Sequence, residues 1–329
     1  MTQEEIARNK MLEGIFVPYA RKRRDEVYQS GKLPSARFVH YTSADAALKI
    51  ISQKRLWMRN VACMADYREV QHGFEILLRF FSDKDKSKSF KETVSLFAPG
   101  AADEAINLFD QWWRQGTFQF KTYIASVSEH DAEEDLHGRL SMWRAFGGTT
   151  ARVGLVFNVP NLSEAAEAMR LTFSPVAYFK DNEADQLVPE VIKNMVANVR
   201  YLQSVPRQEI VNWIFYMLLL GVTCMKHEGF REEKEWRVVH CSQLYSSPFI
   251  ASSTEVVAGV PQVVFKLPLD KSVDPILGDL DISTLFDRLI IGPSPYPVAM
   301  AEAFVAALSK AGVAEASKKV FASNIPIRS

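Results

Sequence analysis

Four polar runs in the sequence hold side chains able to do chemistry. In Phe38-Val39-His40-Tyr41-Thr42-Ser43, strand alternation sets His40 and Thr42 on one face and Val39 and Tyr41 on the other. An imidazole can hold sugar hydroxyls, and the N–H groups of a following helix can hold a phosphate. A plain helix cap by Thr42 or Ser43, with His40 half-buried, accounts for the same residues. The second run, Met64 to Glu69, has Asp66 three residues before Glu69, the spacing of a capping box.

In the third run, Tyr123 to Ser128, the hydroxyls of Ser126 and Ser128 share a strand face. An acidic loop with His130 and His137 follows, then Met142-Trp143-Arg144-Ala145-Phe146-Gly147. The loop's carboxylates, Glu129, Asp131, Glu133, Glu134 and Asp135, have no spacing diagnostic of a metal site and read as solvated. The fourth run extends from Lys226 to His240. As a strand, 235–241 puts Glu235, Arg237, Val239 and Cys241 on one face and Trp236, Val238 and His240 on the other. Glu235 and Arg237 are then either a plain ion pair or a carboxylate that Arg237 orients toward a ligand.

These runs need strands and helices to hold them. The pattern predicts a helical arm over 2–30 ending in the basic run Arg21-Lys22-Arg23-Arg24, which is a solvated face or a docking point for phosphate or a partner. It predicts helices from Thr42/Ser43 onward and over Tyr67–Phe81, an exposed connection over Asp83–Lys91 and a helical pair at about 89–116. Long helices are expected at about 186–204, 207–226 and 298–311, the last ending at Gly312. Strands are expected at 56–58, 122–127, 153–157, 176–179, 236–240, 263–267 and 289–291. Neither regular βαβ alternation nor an all-β order results, so the fold class is α+β, a mixed, mainly antiparallel sheet covered by helices. The expected organisation is an arm over 1–35 and a single domain over 36–329, with a helical insertion at about 83–117.

Composition narrows the function classes. The 329 residues balance 39 Lys and Arg against 39 Asp and Glu, which disfavours a general nucleic-acid coat. Cys63, Cys224 and Cys241 form no C-x-x-C pair, fitting a reducing cytoplasm rather than a disulfide framework or a four-ligand zinc site. The N-terminus has no signal-peptide pattern. The longest apolar stretch, Val211–Met225, falls short of the roughly 20 residues that span a bilayer and reads as a buried helix, so no membrane partner is expected. The P-loop, H-E-x-x-H, G-x-S-x-G and G-x-G-x-x-G motifs are absent from the sequence.

In this order, the runs resemble the bacterial domain-of-unknown-function family 2971. The carrying segments are F-V-H-Y-T-S at 38–43, A-A-L-K-I-I at 46–51, R-L-W-M at 55–58, A-D-Y-R-E at 65–69 and S-V-S at 126–128. They continue with M-W-R-A-F-G at 142–147, G-L-V-F at 154–157, V-A-Y-F at 176–179, E-K-E-W-R-V-V at 233–239 and L-I-I-G-P at 289–293. Two positions depart from the family: Ala65 replaces its usual Asn, and Phe146 stands where a tyrosine is often found, which removes a hydroxyl role there. The opening motif also resembles the first motif of ADP-ribosyltransferases, with a glutamate strand in the right relative place later in the chain.

That second resemblance implies a split sheet and an NAD-dependent ADP-ribosyltransferase-like effector, a toxin or phage-defence protein. In it His40 holds a ribose hydroxyl of NAD and Glu235 is the catalytic carboxylate. Arg144, Lys226 or Arg237 neutralises the pyrophosphate, and Tyr41, Thr42, Ser126, Ser128 and Trp143 complete the nucleotide contacts. Breaking the nicotinamide glycosidic bond develops oxocarbenium-like charge that an oriented carboxylate stabilises. The acceptor would be a protein or a nucleic acid. The alternative is a non-catalytic nucleotide- or protein-binding module of the same fold, docking through the basic arm and the helical insertion. A metal-dependent nuclease or hydrolase using the loop at 129–135 is the third reading.

Overall fold

The structure, a computed structural model, describes residues 2–63, 67–114, 116, 121–145, 151–180, 183, 186–242, 244, 246–257, 259–323 and 325. Its elements in chain order begin with α1 (Gln3–Phe16), α2 (Pro18–Val27), β1 (Ser35–Ser43), α3 (Ala44–Gln53), β2 (Arg55–Asn60), α4 (Tyr67–Ser82), α5 (Lys84–Ser95) and α6 (Ala101–Arg114). Then come β3 (Thr122–Glu129), α7 (Leu140–Ala145), β4 (Arg152–Pro160), β5 (Thr172–Pro175), β6 (Ala177–Phe179), α8 (Leu187–Ala197), α9 (Arg207–Thr223) and β7 (Met225–His227). The last are β8 (Glu235–Cys241), β9 (Ala251–Val257), β10 (Val260–Pro268), β11 (Phe286–Ile291), α10 (Pro297–Ala311) and β12 (Val320–Ala322). The segment 83–91, expected as an exposed connection, is the start of α5, because Asp83 caps it by accepting from the N–H groups of Asp85 and Lys86.

Contacts group the chain into two compact units: 1–27, 60–122 and 174–231 in one, 28–59, 123–173 and 232–329 in the other. This grouping interleaves along the sequence.

The first unit is helical apart from the short parallel pair β6/β7. Its centre is α9, whose first turn is exposed and whose residues from Met217 to Thr223 are apolar nearly all round and largely buried, as an enclosed helix segment must be. At the crossing of α9 with α4, a Cβ on Gly73 would lie 2.5 Å from the Gly221 carbonyl oxygen, so only glycine permits this approach. The arginines of the basic run in α2 are paired with acids of the same unit: Arg21 with Asp25 and Glu13, Arg23 with Glu26, Arg24 with Glu13.

The second unit carries the sheet. Among the described residues it has ten strands, in the order β12-β11-β4-β1-β3-β2-β10-β9 with β8 branching from β3 and β5 pairing β8. The β1/β3, β1/β4, β2/β10, β9/β10 and β4/β11 pairs are antiparallel and β11/β12 is parallel, an α+β arrangement. One sheet face, including Leu155 and Leu289, packs with Ile50 and Ile51 of α3 and Phe304 and Leu308 of α10. The Ser43 hydroxyl caps α3 by accepting from the Ala46 N–H at 3.2 Å. The opposite face presents Val39, Tyr41, Val156 and Ile290 to Met142 and Trp143 of α7.

Candidate functional site

Two registers decide which polar groups meet. Antiparallel pairing of β1 with β3 sets Phe38 opposite Glu129 and Val39 opposite Ser128. Opposed residues share a sheet face, so Ser128 and Ser126 lie with Val39 and Tyr41. Strand β8 joins β3 through the Glu129 N–H, which donates to the Lys234 carbonyl at 3.0 Å. Trp236 lies on the Phe38 side: its ring centroid is 5.2 Å from that of Phe38, and its indole N–H donates to Glu129 Oε1 at 2.8 Å. Alternation then sends Glu235 and Arg237 to the other face, the one holding Tyr41, Ser126 and Ser128.

On that face, Glu235 accepts two bonds from one guanidinium, from Arg237 Nε at 2.9 Å and from Nη2 at 3.2 Å. Both side chains are almost fully buried. The Ser126 hydroxyl is buried and has no hydrogen-bond partner among the described residues. The Tyr41 hydroxyl accepts from the Arg139 N–H at 2.8 Å, and burial pushes this phenol up to about 12.

His40 and Thr42 lie on the face that packs against α3 and α10, so His40 does not converge with Glu235 on one cleft. The reason is the period of two in a β-strand: His40 shares its face with Phe38, and Phe38 is the packing partner of Trp236, not of Glu235. Its Nδ1 lies 2.8 Å from the Ser126 carbonyl, which can only accept, so Nδ1 carries the proton. Burial lowers the pKa of this ring, against the opposing effect of that bond, and the imidazole is held neutral.

Trp143 is a packing residue. Cβ atoms built on Gly138 and Gly292 would lie 2.6 and 2.9 Å from its indole, so two glycines shape its bed. Tyr41 meets it edge-on at 4.8 Å, and its N–H donates to the His137 carbonyl at 2.7 Å. Arg144 is exposed on α7. Lys226 belongs to the first unit, where it is buried with its ammonium 5.3 Å from the Phe230 ring centroid. Asp66 and Phe146 lie outside the described residues.

The residue that sequence reasoning missed is Arg139. Its Nε and Nη2 donate to the Glu134 carboxylate at 2.8 and 3.1 Å. Nη1 donates to the carbonyls of Glu232 and Glu233 at 2.9 and 2.8 Å, and Nη2 also to the Glu129 carbonyl at 2.9 Å. With its own N–H on Tyr41, Arg139 holds β1, β3 and the approach to β8 together. Lys234 adopts the left-handed region at φ 45° just before Glu235, a conformation that costs a lysine roughly 1 kcal/mol and needs such support. In the sequence Arg139 follows Gly138 in a loop with no motif to mark it.

The acidic loop is tied down by cations. Asp131 pairs with Lys234, and Asp135 with Arg37 and Arg288. Burial would raise the Asp135 carboxyl, but the bonds from Arg37 and His130 and the charge of Arg288 hold it below the usual carboxylate range. His130 Nε2 lies 3.0 Å from Asp135, and burial together with the Arg37 charge lowers the pKa of its ring. Among the described residues there is no group of three His, Cys, Asp or Glu side chains placed to hold a metal ion.

Residues 142–238 match the family model described as protein of unknown function (DUF2971). The resemblance to DUF2971 holds over that segment. It includes Trp143, Glu235 and Arg237, whereas the motif at 38–43 lies outside the DUF2971 match. No curated protein and no solved structure matches the chain. Among the described residues, no helix is long and apolar enough to cross a membrane.

Proposed function

We propose that the chain is a non-catalytic nucleotide-binding module, acting in the cytoplasm, whose ligand contacts the Tyr41–Ser126–Arg237 face of the sheet. The observation that carries this reading is the buried Glu235–Arg237 pair on the same sheet face as the buried Ser126 hydroxyl, which has no hydrogen-bond partner among the described residues. A buried ion pair is often no more stabilising than an apolar replacement, and a buried hydroxyl normally finds a partner. Their occurrence together supports a role in holding a polar ligand. Arg237 supplies a planar cation suited to phosphate, and Ser126 supplies a donor or acceptor for a sugar hydroxyl.

The finer reading, NAD-dependent ADP-ribosyl transfer by a toxin or phage-defence effector, retains Glu235 as the carboxylate that stabilises the oxocarbenium-like sugar. It loses His40 as the second grip on that sugar, and Arg237 already neutralises Glu235.

Thermal shift with NAD and with ADP-ribose, run beside an assay for free nicotinamide, separates the readings. The binding module gives a rise in Tm with both ligands, weakened by Ser126→Ala, and no nicotinamide. Nicotinamide release abolished by Glu235→Gln restores the transferase and overturns the proposal. A Tm unmoved by either nucleotide also overturns it.

A further inference from the structure

The first unit contains an apolar cavity of about 90 Å³, walled by Leu77 and Phe80 of α4, Val191 of α8 and Leu220 of α9. No Asp, Glu, Lys, Arg or His contributes to its lining. The polar groups at its wall are engaged: the Tyr19 hydroxyl donates to the Val176 carbonyl at 3.4 Å, the Ser174 hydroxyl donates to the Pro175 carbonyl at 3.2 Å, and the Cys224 thiol lies 3.6 Å from Thr223 Oγ1. A charged or strongly hydrogen-bonding group would enter without compensation.

The cavity cannot close by bringing α4 and α9 nearer. Backbone meets backbone where Gly73 crosses Gly221, so α4 and α9 are already as near as they can come. Tyr19 and Phe179, ring centroids 5.4 Å apart, are half-exposed members of the lining and lead from it to the surface of the unit. With about 90 Å³ to fill, a flexible chain can enter partway and leave the rest of its length outside, whereas a rigid ring must be taken up whole.

We propose that this cavity binds the hydrocarbon end of a linear aliphatic molecule, with any polar head left at the Tyr19–Phe179 opening. The site is independent of the nucleotide reading and stands or falls without it.

Calorimetric titration of the full chain with n-hexanol tests the proposal, with 1,6-hexanediol as the matched control. Both carry six carbons, but the diol must drive a hydroxyl into the apolar wall or stay out. Saturable binding of hexanol, at least about tenfold tighter than the diol, is expected. Two filling variants, Val191→Phe and Ala20→Leu, should each lose hexanol binding while keeping a cooperative thermal transition. Absence of saturable binding, equal affinity for the two probes, or undiminished affinity in a folded filled variant would overturn the proposal. The hexanol and diol comparison needs no variant, so it decides even if both substitutions fail to fold.

Discussion

His40 and Glu235 stand on opposite faces of one sheet. The ring of Trp236 rests against Phe38, two residues before His40, and Glu235 is the residue that alternates away from Trp236. What Glu235 meets instead is Arg237 on its own strand and the face carrying the serines of β3.

Removing one member of that pair should cost far more than removing both. Arg237→Met takes from a buried carboxylate the guanidinium that donates to it twice and is expected to destabilise by about 3–5 kcal/mol, whereas Arg237→Met with Glu235→Gln should lie much closer to the parent protein. Urea unfolding of the two single variants and the double variant measures the coupling. Additive single effects would show that the pair is not a unit.

Arg139 is expected to be the most sensitive charged position in the second unit. Arg139→Ala removes a guanidinium from one carboxylate and three carbonyls and should destabilise by about 3–5 kcal/mol. Arg139→Lys keeps the charge without the planar fork and should recover only part of the loss. Hydrogen exchange at the Glu129 amide, which bonds the Lys234 carbonyl, should accelerate in both variants, and unchanged protection would separate Arg139 from the β3/β8 register.

Acidification should weaken the fold before its carboxylates titrate. Burial lowers the pKa of His40, His130 and His240, with Arg37 adding to the effect at His130. The folded state therefore favours neutral rings, while the unfolded chain takes up protons near pH 6.5. Below that pH the unfolded state binds more protons, so this stabilisation is complete above about pH 6.5 and is lost as pH falls toward the folded-state values. The urea midpoint should drop between pH 7 and pH 5, and His40→Asn, which keeps an N–H for the Ser126 carbonyl, should flatten the drop. A midpoint constant over that range would refute the assignment.

Much of the local structure was legible because it depends on neighbours in sequence. The amphipathic period of α4, the enclosed apolar run of α9, the Ser43 cap and the end of α10 at Gly312, with φ 91°, all follow from residues a few positions apart. Strands β5, β7, β9 and β12 were not seen, since strands of three or four residues and an exposed edge such as β9 carry little hydrophobic alternation. The glycines under Trp143 look unremarkable in sequence because Gly138 and Gly292 come from distant places.

The face that each side chain takes within its own strand was also written in the chain: Tyr41 opposite in sense to His40, Ser126 alike with Ser128, Glu235 alike with Arg237. How one strand's faces align with those of another was decided only by pairing, because a period of two has no memory across a loop. Register between β1, β3 and β8 brought Tyr41, Ser126 and Arg237 to one side and sent His40 to the other. The fold likewise gave Arg139 its five acceptor contacts, from residues before and after it in sequence that no local pattern could have gathered.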